Sequence, residues 1–240
     1  MEDNMNLNEI SPHLRLKISP RARRMALRLD THARVVQLVV PKRASLDRAF
    51  DFAKHNQDWI EQHIGDLPKP VLFRDGAILP ICGKEVRINI HYRKDLKETR
   101  IVLKKTVLSV YTNKRDPSAR IRRFLWNYAE EKLTKMAKRK AARIGKDIAS
   151  ISIRDTKSRW GSCSEDRKLS FCWRLIFAPT EAMDYVVAHE VAHMRYMDHG
   201  NAFWALTRKL SRDYEAGYQW MQANGHELMR FGQPGSFAAD

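Results

Sequence analysis

The stretch AHEVAHMRYMDHGNAFW, from Ala188 to Trp204, decides how the second half of the chain folds. His189 and His193 are four residues apart, and this spacing places both imidazoles on one face of an α-helix, one turn apart. Glu190 lies about 100° further around the same helix. Two imidazoles that hold a metal ion, with a carboxylate beside its open position, are what a zinc hydrolase requires. A surface helix with solvated histidines is the competing interpretation.

His199 is the candidate for a third ligand. Metzincin proteases share its spacing, but they need Gly seven residues after the first His, because the chain turns there at positive φ. That position is Tyr196 here, and a Tyr at positive φ would be strained. We therefore expect a helix that continues to about Met197, followed by a turn at 198–200. The alternative third ligand is Glu215, from the following helix.

Composition limits the classes of protein that the chain can belong to. Its 240 residues are 43% apolar, which is enough for a core, and no apolar run is long enough to cross a membrane. The start, MEDNMNLNEI, lacks the features of a signal peptide, so we expect a cytoplasmic protein. Cys82, Cys163 and Cys172 lack C-x-x-C spacing, which indicates reduced thiols rather than a disulfide framework or a cysteine zinc site.

A formal net charge of +16 favours an anionic partner such as nucleic acid. Residues 118–145 have a helical pattern, and the segment 114–146 around them carries 12 Lys or Arg against 3 Asp or Glu, a net charge of +9. This segment could bind a phosphate backbone, or it could be an ordinary solvated face.

The first hundred residues have mostly β patterns. Short alternating or β-branched runs occupy 14–19, 25–30, 34–41, 85–92 and 99–112, the last bent near 104–105, and one helix is predicted over 45–64. Further on, the run KLSFCWRLIFA (168–178) alternates and predicts a strand directly before the histidine helix. Zinc peptidases commonly hold an extended substrate on the edge of such a strand, although an ordinary structural strand is the simpler interpretation.

The RWGSC segment is a candidate part of the site. Arg159 could steady an oxyanion or a substrate carbonyl, and Tyr196 is a second candidate for that role. Trp160 is a candidate substrate contact, or it shapes the turn together with Gly161. The sequence assigns no ligand or nucleophile role to Cys163.

The segments RWGSCS, WRLIFAP and DYVVAHEVAHMRYMDHGNAFW together resemble the YgjP-like metallopeptidases, which are similar in turn to the SprT/Spartan and Wss-type proteases. The resemblance covers roughly residues 14–225. It implies a gluzincin-like site with one Zn²⁺ per chain, in which His189, His193 and His199 bind the ion and Glu190 is the catalytic base.

These observations predict an α+β fold, with a β-rich N-terminal part followed by a gluzincin-like zinc peptidase core that places the H-E-x-x-H helix next to an antiparallel edge strand. We expect a flexible N-terminus over 1–13, a β-rich part with one helix over 14–112, a metallopeptidase core over 113–232 and a tail over 233–240. The predicted function is zinc-dependent hydrolysis of peptide bonds in a protein or peptide substrate, acting near nucleic acid or without it, and not at a membrane. The alternative is a non-enzymatic nucleic-acid-binding protein with a structural zinc.

Overall fold

A computed structural model describes residues 6–31, 33–156 and 158–232, and contacts divide the chain into two compact units, Met1–Lys69 and Pro70–Asp240. This division differs from the predicted boundary after residue 112. The reason is a shared core, because Ile88 and Leu108 belong to the same buried cluster as Ile121 and Leu125 further along the chain. The predicted tail, 233–240, lies outside the described residues.

The first unit is a three-stranded sheet covered by helices. Its elements are α1 (Leu7–Ile10), β1 (Leu14–Ser19), β2 (Ala26–Asp30), β3 (Val35–Pro41), α2 (Leu46–His55) and α3 (Gln57–Gly65). The strand order is β1-β3-β2, with β1 parallel and β2 antiparallel to β3. Val36 and Leu38 face a core that α2 and α3 close with Ala49, Ala53 and Ile60.

The prediction of one helix over 45–64 was wrong, because the structure has two helices there. Ser45 caps α2 by accepting a hydrogen bond from the Arg48 N–H. Asn56 ends α2 with φ −109° and ψ 20°, and its side-chain amide donates to the Phe52 carbonyl at 2.7 Å. A side chain that competes in this way for a main-chain carbonyl weakens the helix at that point, which favours its end there.

The second unit begins with a four-stranded sheet and one long helix. Its first elements are β4 (Ile78–Ile81), β5 (Lys84–Tyr92), β6 (Arg100–Lys104), β7 (Val107–Thr112) and α4 (Ser118–Arg143). The strand order is β4-β5-β7-β6. The predicted bend near 104–105 is confirmed, since Lys105 has a φ of 50° in the turn between β6 and β7. The strand β4 was not predicted from the sequence.

A second sheet and three helices complete this unit. They are β8 (Ser150–Arg154), β9 (Gly161–Cys163), β10 (Lys168–Cys172), α5 (Thr180–His193), α6 (Asn201–Leu210) and α7 (Tyr214–Asn224), with 3-10 helices at Trp173–Phe177 and Gly225–Arg230. The strand β10 is central, with β8 parallel on one side and β9 antiparallel on the other. The α+β class is therefore confirmed.

The prediction of one strand over 168–178 was wrong in two respects. The strand ends at Cys172, and it lies in the centre of its sheet rather than at an edge. Leu175, Ile176 and Phe177 are all buried, so the segment that follows winds into a 3-10 helix instead of alternating. The antiparallel strand at the edge, and next to α5, is β9.

No helix among the described residues is long and apolar enough to cross a membrane.

One buried ion pair joins three helices of the second unit. The Lys140 side chain is 2% exposed, and its Nζ lies 2.6 Å from Asp184 Oδ1 on α5 and donates to the Leu210 carbonyl, at the end of α6, at 2.7 Å. Asp184 also accepts from the Arg212 N–H at 2.7 Å. Burial lowers the pKa of Lys140, and the carboxylate beside it opposes that shift. Lys140 is therefore a structural residue, although the sequence places it among the cations of the basic segment 114–146.

Replacing Lys140 with Ala leaves Asp184 buried without its cation. We expect the free energy of unfolding to fall by about 3–5 kcal/mol, as is typical when one partner of a buried pair is removed. Urea denaturation would measure the change. The neighbouring Arg139 is exposed, so Arg139→Ala serves as the control and should change stability by less than about 0.5 kcal/mol. Equal effects of the two substitutions would contradict a structural role for Lys140.

Candidate active site

Three histidines come together at the C-terminal end of α5. His189 and His193 are one turn apart in the helix, as their spacing predicts, and His199 lies in the loop before α6. The helix ends at His193 rather than near Met197 as predicted. Tyr196 is not among the described residues with positive φ, so the chain reaches His199 without a metzincin-type turn.

The spacing of the three imidazoles fits a tetrahedral metal ion. One ligand atom from each ring can be chosen so that all lie within 4.8 Å of one another. The Nε2 atoms of His189 and His199 are 3.3 Å apart. Two nitrogens at zinc distances of 2.0–2.1 Å subtend a tetrahedral edge of about 3.3–3.4 Å. The separation of these two ring nitrogens is therefore that of two ligands of one metal ion, which the cluster could hold.

Protonation also suits ligation. Burial, together with the two neighbouring imidazoles, lowers the pKa of His189 to about 4, and burial lowers the pKa of His193 as well. Both rings are therefore neutral at pH 7, as metal ligation requires. His193 Nδ1 lies 3.0 Å from the Tyr196 carbonyl, which can only accept, so Nδ1 carries the proton and Nε2 is free. His189 Nδ1 is buried and has no hydrogen-bond partner among the described residues.

Aromatic packing holds the three imidazoles in position. Phe203, on the first turn of α6, is fully buried, and its ring centroid lies 4.9, 4.5 and 4.7 Å from those of His189, His193 and His199. Trp204 packs beside it, 5.6 Å from His199. Since His189 Nδ1 has no hydrogen-bond partner within the part of the chain that the structure describes, ring packing orients this side chain.

The Glu190 side chain, on α5, packs against the edge strand β9. Glu190 is 6% exposed, and burial raises its pKa to about 8, although the charge of Arg159 opposes the shift. A Cβ on Gly161 would lie 2.5 Å from Glu190 Cγ and 2.7 Å from Oε1. Real Cβ atoms do not approach so closely, so only glycine at 161 leaves the carboxylate where it is.

The other predicted site residues have different surroundings. Arg159 is exposed and close enough to act electrostatically on Glu190, which makes it available to a substrate. The Trp160 indole packs away towards the end of α7, with Nε1 3.3 Å from where a Cβ would lie on Gly225. The main-chain carbonyl of Tyr196 accepts a hydrogen bond from the His193 ring.

Glu215, the alternative third ligand, is not part of the histidine cluster found among the described residues. Cys163 lies on β9. Burial, and to a smaller extent the charge of Glu190, raises the pKa of its thiol to about 11, so the thiol stays protonated at neutral pH.

Sequence reasoning missed Tyr185, one turn before His189 on α5, whose ring centroid is 6.1 Å from the imidazole. Burial raises the pKa of Tyr185 to about 12, so its hydroxyl keeps its proton. The i, i+4 spacing to His189 was the available signal.

A family model for the YgjP-like metallopeptidase domain matches residues 23–224. The chain belongs to the YgjP-like metallopeptidase family. The match covers the histidine helix, the edge strand and most of the N-terminal unit. No curated protein and no solved structure matched the chain in the same comparisons. Family membership supports a peptidase that acts on protein or peptide substrates with a metal ion, and the three-histidine cluster agrees with this.

The choice of third ligand can be tested in this YgjP-like protein by measuring metal content. We expect His199→Ala to lose most of its bound zinc, because two imidazoles alone leave two corners of the tetrahedron without a protein ligand. Glu215→Ala is the matched control and should keep about one zinc per chain. Metal analysis after gel filtration gives the answer. Full zinc content in His199→Ala would exclude it as a ligand.

Proposed function

We propose that this protein is a zinc-dependent peptidase in which His189, His193 and His199 hold one Zn²⁺ and Glu190 is the general base. The observation that carries the proposal is the combination of three clustered imidazoles with a buried carboxylate on the same helix. Zinc in a three-histidine site leaves a coordination position open, whereas structural zinc sites are usually closed by four protein ligands. This difference favours an enzyme over a binding protein with a structural zinc.

Each group has a separate chemical task. Zinc supplies Lewis acidity, which polarises a carbonyl and acidifies water. Glu190 takes the proton from the attacking water and passes it to the leaving amine, so that the carboxylate is restored. Burial increases its affinity for a proton, and a bound Zn²⁺ would lower its pKa again, so that the carboxylate is ionised when it acts as the base. Arg159, exposed and near Glu190, is our candidate for the group that steadies the developing oxyanion.

We propose that the substrate chain lies along β9. The Cys172 N–H donates to the Trp160 carbonyl at 2.8 Å, and the Ser164 N–H donates to the Lys168 carbonyl at 3.0 Å, so Trp160 and Ser164 face β10. Residues alternate in an antiparallel pair, so Gly161 and Cys163 direct their main-chain groups to the other side. No described strand pairs with that side, which leaves it open to an extended peptide.

Glu190→Gln separates the enzyme from the binding protein. Gln keeps the size of the side chain but cannot accept the proton, so we expect hydrolysis to fall by about 10²–10⁴-fold. An unfolded protein is a suitable substrate, and cleavage can be followed by mass spectrometry. The two proteins must be compared at equal zinc occupancy, which Glu190→Gln should retain.

A chelator provides the control for contaminating proteases, because it should abolish cleavage by the wild-type protein. Equal cleavage by the wild-type protein and Glu190→Gln would show that Glu190 is not the base. The structural-zinc alternative would then be the better account.

A second candidate function is binding of nucleic acid by the basic segment 114–146. Fewer cations of this segment are available to phosphates than the sequence indicates. Lys140 is buried, Arg122 pairs with Asp155, and Arg143 donates to main-chain carbonyls at the end of α6. The remaining candidates for phosphate contacts are the exposed cations Lys135, Lys138 and Arg139 on α4, together with the exposed cations that precede and begin the helix. A cytoplasmic location likewise stays a prediction from the sequence.

Charge reversal at Lys138 and Arg139 tests this second function. If both contact phosphates, the double Glu variant should reduce the slope of log affinity against log salt by about 2, since each lost contact removes roughly 0.9. Fluorescence anisotropy with short duplex DNA and with single strands would measure it. Zinc content should not change. An unchanged slope would show that α4 is an ordinary solvated face.

A further inference from the structure

An open groove of about 570 Å³ lies between α6 and α7. Its walls are formed by Asn201, Trp204 and Arg208 on α6, and by Tyr214, Glu215 and Tyr218 on α7. None of these six residues is a proposed metal ligand or the proposed base, although Trp204 also packs against His199. The volume is within the range of pockets that bind small ligands, and it is large enough for one amino-acid side chain.

Two aromatic residues, Trp204 and Tyr185, connect the walls of the groove with the histidine cluster. Trp204 forms one wall, and its ring centroid lies 5.6 Å from that of His199 and 5.8 Å from that of His189. Tyr185 packs edge-on against Tyr214 and Tyr218, at 5.5 and 5.7 Å, and it also contacts His189. A peptide whose scissile carbonyl is at the metal site could therefore extend a neighbouring side chain into this groove.

The chemistry of the walls favours an aromatic side chain. Tyr214 and Tyr218 are parallel within 3°, with centroids 5.9 Å apart, and with Trp204 they give the walls three aromatic rings, although Arg208 covers one face of Tyr214. Aromatic rings pack well against such surfaces in offset or edge-to-face arrangements. A charged side chain gains little, because Arg208 and Glu215 have opposite charges and the Arg208 guanidinium already lies 4.7 Å over the Tyr214 ring. A small side chain would leave the rings in water.

We propose that this groove is a specificity subsite that selects an aromatic residue next to the bond that is cut. The proposal rests on the proposed function, since it assumes that the substrate carbonyl lies at the histidine cluster. It adds the class of residue that the enzyme recognises and the side chains that recognise it.

Peptide hydroxamates test the subsite without requiring turnover. The hydroxamate chelates zinc, and two compounds are compared that differ only in whether the adjacent side chain is that of Phe or of Ala. Each compound is made in two forms, which differ in the side of the chelating group to which the peptide is attached. We expect one such pair to show tighter binding of the Phe compound to the zinc-loaded wild-type protein by about tenfold to a hundredfold, from the additional apolar burial.

Variants of Tyr218 locate the preference. Tyr218→Ala should reduce the ratio of the two affinities to near one while leaving the Ala compound unaffected, and Tyr218→Phe, which keeps the ring, should retain the ratio. Gln219 is the exposed next residue on α7 and does not line the groove, so Gln219→Ala is the matched control and should retain the ratio. Zinc content checks the fold of each variant.

Two results would overturn the proposal. Equal affinity of the Phe and Ala compounds for the wild-type protein in both chain directions would show that no aromatic subsite adjoins the metal. A preference that persists in Tyr218→Ala would locate the subsite elsewhere. Failure of both compounds to bind zinc-loaded protein would show that the zinc has no open coordination position. That result would overturn the proposed peptidase and the subsite with it, and it differs from the other two results.

Discussion

The packing of one phenyl ring against three imidazoles is the constraint on which the site depends. Phe203 touches His189, His193 and His199, which come from two different parts of the chain. The first two are aligned by the helix, but nothing local brings the third to them. Phe203 follows His199 by four residues, so the residue that begins the packing of α6 also positions the loop histidine beside α5. The imidazole cluster is thus a consequence of how α6 docks.

The docking of α6 is fixed at its other end by charge. Lys140 and Arg143, both on α4, donate to carbonyls at the C-terminus of α6, where cations complement the partial negative charge of the helix end. Lys140 also pairs with Asp184, five residues before His189 on α5. The three helices are therefore tied together by one buried polar cluster, while the ring of Phe203 joins α5 and α6 near the histidines. An apolar contact alone would leave α6 free to slide along α5, whereas directional hydrogen bonds fix its register.

How much the sequence could predict depends on whether a feature is local. The i, i+4 spacing of His189 and His193 and the strand alternation at 85–92 are local, and the structure has a helix and a strand there. The strand predicted over 168–178 failed because the burial of Trp173 and Arg174 side by side is decided by tertiary contacts: Arg174 pairs with Asp155 and lies against the Trp173 ring. Lys140 was misread for the same reason, since its partner is 44 residues away. For the groove between α6 and α7, the local feature in the sequence is the spacing of Tyr214 and Tyr218, which places both rings on one face of a helix. The position of these rings near the histidines depends on their contacts with Tyr185.

The close approach of Gly161 to Glu190 connects the edge strand with the proposed base. Because no side chain separates them, the position of β9 and the position of the carboxylate cannot vary independently. A peptide paired with the outer side of β9 would run one strand spacing, about 4.8 Å, from the main chain that touches Glu190. The strand would then do more than hold the substrate, because the same glycine would set the distance from the bound peptide to the group that removes the proton. An enzyme that used a loop for this purpose would have to order that loop in each cycle, whereas hydrogen bonds to β10 already hold β9 in place.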